Sequence, residues 1–377
     1  MIAPGRAQAP TPEGSECEAR SARAMRHLLI GDGDSPHLLK WARGLAAVPG
    51  LELWAASSRG FLGGFDACIP AARRLALHTR PRAAGGNLAL LWQLPRLARW
   101  LRQADADWIH AHYLTSHGTL AWLAMRHLGV RGHLVGSAWG SDILDTPQRS
   151  AVRGWLTRRV LRACTLATSD SQVMAARMRE LGAGEVMVFP FGLEAMPPPP
   201  PAKDDHLFFA NRGLEPLYEP ARVLAQFAAL AGAQGQLVVA NEGSLRAALE
   251  QQMRALGLQD RVRFVGRLDA AAQAQCYDRA RWMLSLPRSD SVSVSVLEAM
   301  AHGCVPILSD LPANRELVRN GVNGLIVPAG TLLAPSALAG LLPQADELAQ
   351  RNRQWVAQHA LFAPCVAAFI ARLRALA

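Results

Sequence analysis

Two carboxylates, Asp290 and Glu298, stand eight positions apart in PRSDSVSVSVLEAMAHG, the segment that begins at Pro287. A strand-like run, RWMLSL from Arg281, ends just ahead of them, and a Ser-rich turn leads into a stretch of helical character near Ser293. Ser is a favoured N-cap, and the first turn of a helix leaves amide N–H groups without intrahelical acceptors. With the helix dipole these amides form a seat for phosphate. On this reading the start of the helix at Ser293, Val294 and Ser295 holds a diphosphate. Asp290, in the loop before the helix, and Glu298, inside it, then reach the groups at the two ends of that diphosphate: a sugar for one carboxylate, a ribose for the other. Gly303 ends the helix before the next buried strand.

Other reactive side chains are more scattered. His37, His110, His112, His117 and His133 invite a metal reading. His110 and His112 share one face of a strand, but no clear third ligand accompanies them, so no metal is expected. His37, His117 and Asp142 are each candidates for contact with a substrate, beside ordinary packing and capping. Gly31 and Gly33 follow a strand, yet GDGDSP lacks the full dinucleotide fingerprint. Gly33 is read either as a close backbone approach to bound phosphate or as a plain tight turn. Six cysteines without any CxxC argue against a zinc site or a disulfide scaffold and fit a reducing, cytoplasmic compartment.

The elements that must position these residues follow one rhythm. Short apolar runs (HLLIG from His27, LELWAAS from Leu51, DWIHAH from Asp107, HLVGS from His133, TLATS from Thr165, VMVFP from Val186) alternate with amphipathic segments such as HLLKWARGLAAV from His37. This predicts a parallel sheet covered on both faces. Five consecutive prolines, Pro197–Pro201, can enter neither a helix interior nor a central strand and are read as a linker. The alternation then restarts with HLFFA from His206 and runs to GLIVP from Gly324. The expected class is α/β, with two doubly wound, Rossmann-like domains facing a central cleft and ligands beyond the carboxyl ends of the strands. The expected divisions are a disordered tail over 1–24, a first domain over 25–196, the linker over 197–201, a second domain over 202–356 and a C-terminal helix over 357–377 that packs back on the first domain. Met25, directly before the first strand, is an alternative start.

The 377 residues are half hydrophobic and carry a formal charge of +10, much of it in two Arg runs of the first half. No stretch approaches the roughly 20 apolar residues that span a bilayer. LPRLARWLR, from Leu94, has the spacing of a helix lying on an anionic membrane surface, or of a helix facing the core. Nucleic acid is not an expected partner: aromatic residues make up only 6% of the chain, and Trp92, Trp100 and Trp155, near the Arg runs, are equally suited to packing.

The segment from Pro287 to Gly330 resembles the signature of glycosyltransferase family 4, whose architecture is GT-B. That family carries two acids eight positions apart, followed by LEAMA, a Gly and an apolar strand. LEAMAHG, Ser309–Asp310, Glu316 and NGLIVP match as they stand. HAHYLTSHG from His110, WGSD from Trp139, the Ser171 region and FPFGLE from Phe189 fall in the family's order. NRGLEPLY from Asn211 resembles the loop that supplies a phosphate-binding Arg, here Arg212, and NEGSLR, with Glu242, the loop near the nucleotide base.

The resemblance implies a retaining, metal-independent transfer from a nucleotide-diphosphate sugar, UDP- or GDP-linked, which serves as co-substrate without a further cofactor. The implied acceptor is a glycan or lipid-linked glycan of cell-surface polysaccharide or lipopolysaccharide synthesis, with the enzyme cytoplasmic or peripheral on the inner membrane face. Asp290 would sit at the reacting sugar. Two departures stand out. Leu217 and Tyr218 occupy the region where many members carry a phosphate-binding Lys, leaving Arg288 or Arg315 as substitutes. Trp139 replaces a common His. They motivate an alternative, a catalytically inactive GT-B subunit that binds or scaffolds in glycan assembly.

Overall fold

The computed structural model describes residues 23–79 and 88–377. The expected tail falls outside the described residues as far as residue 22, as do Cys17, Arg80 and Arg82. Among the described residues the strands form two sheets. The first comprises β1 (Met25–Gly31), β2 (Leu51–Ser57), β3 (Arg74–Ala76), β4 (Trp108–His112), β5 (His133–Ser137), β6 (Cys164–Ser169) and β7 (Val186–Val188), in the order β3-β2-β1-β4-β5-β6-β7. The second comprises β8 (Asp204–Ala210), β9 (Gln236–Ala240), β10 (Val262–Gly266), β11 (Ala280–Ser285), β12 (Val305–Ser309) and β13 (Leu325–Val327), in the order β10-β9-β8-β11-β12-β13. All strand pairs of the second sheet are parallel. Each sheet grows outward on both sides of its first strand, which is the doubly wound arrangement.

The composition of the strands explains the architecture. Phe208, Leu237, Val239, Trp282, Leu284 and Ile307 pack on one face of the second sheet. Leu207, Phe209, Val238, Met283 and Leu308 pack on the other. Successive residues of a strand point to opposite faces, so an unbroken apolar run is stable only where helices cover both. Burial of a side chain of this size contributes about 1.5–3 kcal/mol.

Around the first sheet, Ser35 accepts a hydrogen bond from His37 N at 3.3 Å and caps the helix Pro36–Ala46, which buries Leu38, Trp41 and Leu45. His27 Nε2 lies 3.1 Å from His110 Nδ1, and the Trp41 ring meets His110 edge-on at 4.8 Å. Burial lowers the His27 pKa to about 3. His27 is therefore neutral, and His110 is buried against it in the core. The helix Leu94–Ala104 buries Leu97, Ala98, Leu101 and Ala104. This corrects the membrane reading of LPRLARWLR: its apolar stripe faces the core, and Arg96, Arg99 and Arg102 form its solvent side. No helix among the described residues is long and apolar enough to cross a membrane.

The chain divides into two compact units that do not follow the sheets. One runs to His110 and takes in Ala124–His133; the other holds Ala111–Leu123 and Leu134–Ala377. Pro197–Pro201 joins β7 to β8 without regular structure. The helix Phe362–Leu376 buries Val366, Phe369, Ile370 and Leu373. Leu193 N donates to Ala360 O and Phe362 N to Leu193 O, both at 2.8 Å. Arg372 forks onto Glu185, just before β7, with both bonds at 2.6 Å. Gly192 is required at this crossing, because a Cβ there would run into the carbonyl of Ala360.

Candidate active site

The second sheet changes direction between β8 and β11. Arg212 follows the carboxyl end of β8, and Asp290 follows that of β11. Adjacent strands whose connections depart to opposite sides leave a crevice at their ends, and these two side chains meet there. Arg212 Nη2 donates to Asp290 Oδ2 at 2.6 Å. Its Nη1 donates to Ser293 Oγ, and to Ser295 Oγ at 3.3 Å. The guanidinium lies over the Tyr218 ring, 4.5 Å from its centroid. Burial raises the Asp290 pKa above the ordinary carboxylate range, opposed by the charge of Arg212 and the Ser291 amide.

The helix after Asp290 spans Val294–Ala301, and Ser293 takes the N-cap position. The expectation that the Ser293 side chain caps it does not hold. Its hydroxyl instead receives Arg212 and shares a 2.8 Å bond with Ser295 Oγ. The first-turn amides are thus not capped by this hydroxyl.

Glu298 lies on the same helix, held by Gln273 Nε2 at 2.9 Å, with the Tyr277 hydroxyl 3.4 Å away. Tyr277 belongs to a polar chain that sequence reasoning missed. Asn241 Nδ2 donates to Asn211 Oδ1 at 2.7 Å, and Asn211 Nδ2 to the Tyr277 oxygen at 2.9 Å. Asn241 adopts φ 75°, a left-handed conformation unusual for a side-chain-bearing residue, at the end of β9. Glu242, next to it, is exposed, with its carboxylate 3.6 Å from Arg246. Its carbonyl accepts from Leu214 N at 3.1 Å, tying the loops after β8 and β9 together.

The two proposed substitutes for the absent Lys differ. Arg315 is forked onto Asp310 at 2.6 and 2.9 Å. Arg288 is exposed, makes no ion pair among the described residues, and donates its backbone N–H to Leu217 O at 3.0 Å. Of the two, Arg288 is the one without an ion pair among the described residues, and its backbone adjoins the Leu217–Tyr218 segment.

Segments after β4, β5 and β6 belong to the same compact unit. Asp142 is buried and accepts from Leu114 N at 2.9 Å and Trp139 N at 2.8 Å. Burial pushes its carboxyl up to about 6, opposed by those amides. Asp142 thus fastens the turn after β4 to the turn after β5. The turn after β4 is a wide helical turn, Tyr113–Gly118, opened by Tyr113 at φ 63°. His117 lies buried in it, with Nδ1 2.8 Å from His112 O. Trp139 donates from Nε1 to His112 Nδ1 at 3.2 Å and stacks with Tyr113. It is part of an aromatic wall with Phe191.

Asp170 and Ser171, after β6, were not singled out as a pair by type or spacing. Ser291 Oγ donates to Asp170 Oδ1 and lies 2.8 Å from Ser171 Oγ. Glu316 accepts from Gln172 N and Val173 N, both at 2.9 Å, at the start of the helix Gln172–Glu180. Only the tertiary fold brings residues 120 or more positions apart into these bonds.

Gly33 and His37 belong to the other unit. Gly33 N donates to Ser57 Oγ at 2.8 Å, and a Cβ on Gly33 would come within 2.5 Å of Gly60 O and 2.6 Å of Phe61. The glycine is explained by loop packing, so the phosphate-approach reading is not needed. His37 is half-buried in the first turn of its helix.

Two family models match nearly end to end: Glycosyl transferase 4-like over residues 27–171 and Glycosyl transferases group 1 over residues 194–356. The chain belongs to the family 4 type of glycosyltransferases. The chain is 36% identical over 112 residues to a phosphatidyl-myo-inositol mannosyltransferase of Mycobacterium leprae, a match covering 28% of each chain. It is 31% identical over 125 residues to a GDP-mannose:cellobiosyl-diphosphopolyprenol alpha-mannosyltransferase of Xanthomonas campestris, covering 31% of this chain and 30% of that relative. These matches span about a third or less of the relatives' length. Among solved structures, Anabaena Alr3699/HepE in complex with UDP and glucose superposes with TM-score 0.75 at 16% identity, covering 93% of this chain and 100% of that one. That likeness shares the GT-B fold of the transferase.

Proposed function

We propose that this transferase moves a sugar from a UDP- or GDP-linked donor to a glycan or lipid-linked glycan acceptor, with retention and without a catalytic metal. The observation that carries the reading is the junction of Arg212 and Asp290 at the start of the helix Val294–Ala301. As the donor bond breaks, the anomeric carbon gains positive charge and the diphosphate gains negative charge. Arg212 and the amides of Val294 and Ser295 stabilise the diphosphate as it departs. Asp290, released from Arg212 when phosphate takes its place, orients the sugar hydroxyls and offsets the developing positive charge. Glu298, fixed by Gln273, holds the ribose, and the Asn241–Glu242 loop borders the base. The acceptor attacks from the leaving-group side, its proton passing to a departing phosphate oxygen.

The acceptor class draws support from the Xanthomonas relative, whose name carries a diphosphopolyprenol-linked acceptor. A surface suited to an anionic membrane is present on the helix Ala151–Ala163, which has four Arg and no acid. Val152 is 66% and Trp155 48% exposed, and Arg159 lies over the Trp155 ring at 5.3 Å. Apolar residues flanked by arginines suit an interfacial helix.

The test is a melting-temperature and mass-spectrometric screen against UDP- and GDP-sugars without added metal. One donor class should raise the melting temperature and release its nucleoside diphosphate, and Glu298→Ala should weaken both effects. Binding without release, even with acceptor present, would favour the scaffolding alternative, for which the Tyr218 and Trp139 environments are the motive.

A further inference from the structure

The carboxyls of Asp290 and Asp142 both act electrostatically on Asp170, and of these three only Asp290 forms an ion pair among the described residues. Asp170 is 7% exposed. It accepts hydrogen bonds from the Ser291 hydroxyl and the Val292 amide, the two residues between Asp290 and the N-cap Ser293. Ser171 braces Ser291 from the side at 2.8 Å. The loop carrying Asp290 into the phosphate-binding helix is therefore gripped by a carboxyl that is not in the described donor contacts.

We propose that Asp170 is a positioning residue of the donor site, its buried carboxyl fixing the Ser291–Val292 turn that leads from Asp290 into the phosphate-binding helix. The inference rests on the transferase reading above. One positive group, Arg212, faces the ionised Asp290, and the pair is neutral overall. Loss of the Asp170 proton to solvent would add a buried negative charge where a diphosphate must bind, weakening its attraction and drawing Arg212 away from it. The groups facing Asp170 are the Ser171 and Ser291 hydroxyls, the Val292 amide and the Asp290 and Asp142 carboxyls. Burial, aided by the charges of Asp290 and Asp142, pushes its carboxyl up to about 8 against the bonds from Ser291 and Val292.

The experiment compares wild type, Asp170→Asn and Asp170→Ala from pH 4 to 10, reading donor turnover between pH 6 and 10 and the melting temperature throughout. Asn keeps the shape and neutrality of the acid; Ala removes the grip. Wild-type kcat/KM should fall roughly tenfold per pH unit above about pH 8. Asp170→Asn should stay within about threefold of wild type at pH 7 and lose that alkaline fall, whereas Asp170→Ala should drop at least about tenfold at every pH. Asp170→Asn should also melt higher than wild type at pH 7–9, with the gap shrinking toward pH 4 as the unfolded chain's carboxyl also takes up its proton. An unchanged alkaline limb in Asp170→Asn, or a loss at pH 7 equal to that of Ala, overturns the proposal. A melting gap that does not vary with pH overturns it even if no donor is turned over. Absence of turnover and nucleotide binding in wild type, with the pH-dependent gap intact, instead sinks the transferase reading.

Discussion

The guanidinium of Arg212 is 2.6 Å from the carboxylate of Asp290 and rests on the ring of Tyr218. On the proposed reading, the cation meant for phosphate and the acid meant for sugar are thereby stored against each other until a ligand separates them. Removing either leaves the partner partly buried without its counter-charge.

Arg212→Ala should lower kcat/KM for the donor by roughly a hundred- to a thousandfold, the range for loss of a preorganised charge donor. Asp290→Asn should lower kcat by a similar factor while binding of the nucleoside diphosphate is retained. Steady-state kinetics beside calorimetric binding separates the two. Equal loss of diphosphate binding in both variants would contradict the division of labour.

Asp142 should leave a mark on acid stability. Its carboxyl titrates near 6 when folded, against an ordinary 3.8. Below pH 4 both forms of the chain are protonated; between pH 4 and 6 the unfolded chain ionises first and the native state loses stability, by at most roughly 3 kcal/mol. Above pH 6 this contribution is flat. Urea unfolding across that window should show the decline in wild type and a shallower one in Asp142→Asn. Asp142→Ala should be less stable at every pH, because the Leu114 and Trp139 amides lose their acceptor, about 1–3 kcal/mol for each if left unpaired.

Glu316→Ala should cost about 0.5–2 kcal/mol, the scale of a lost helix N-cap, because two first-turn amides of Gln172–Glu180 lose their acceptor. Glu316→Gln should recover about half. Guanidinium midpoints with unchanged slopes would confirm a stability effect, and a normal midpoint for Ala would refute the capping role.

Gly192→Ala should destabilise the protein and loosen the Leu193–Ala360–Phe362 crossing. Hydrogen exchange should rise at Leu193 and Phe362 before it rises in β8 or β11. Uniform protection in the variant would show that the backbone shifts to accommodate the methyl.

The sheets were legible because most of their strands carry short apolar runs, such as LLI in β1 and LFFA in β8, bounded by Gly, Pro or polar residues. Arg74–Ala76 was missed: three half-buried residues at a sheet edge carry no such signal. At the site, Asp290 and Glu298 stand out by their spacing and Arg212 by the family resemblance of its loop, and the structure places Arg212 on Asp290 as well as on the serines. Asp170, Tyr277 and Asn211 were not, because their roles come from hydrogen bonds across the fold. The helix from Leu94 shows the converse: amphipathic spacing announces an apolar stripe but not what covers it, and here the core does.

The fork of Arg372 on Glu185 joins residues 187 positions apart. All of the second sheet lies between them along the chain. Contacts of such long sequence separation demand the largest loss of chain entropy before they return any energy, and they slow folding. The order of assembly follows: β8 to β13 can pair from neighbouring segments, whereas the terminal helix must wait for the intervening chain to collapse. Its docking is then the late event of folding, and Leu193, bonded to Ala360 and Phe362, becomes protected only with it.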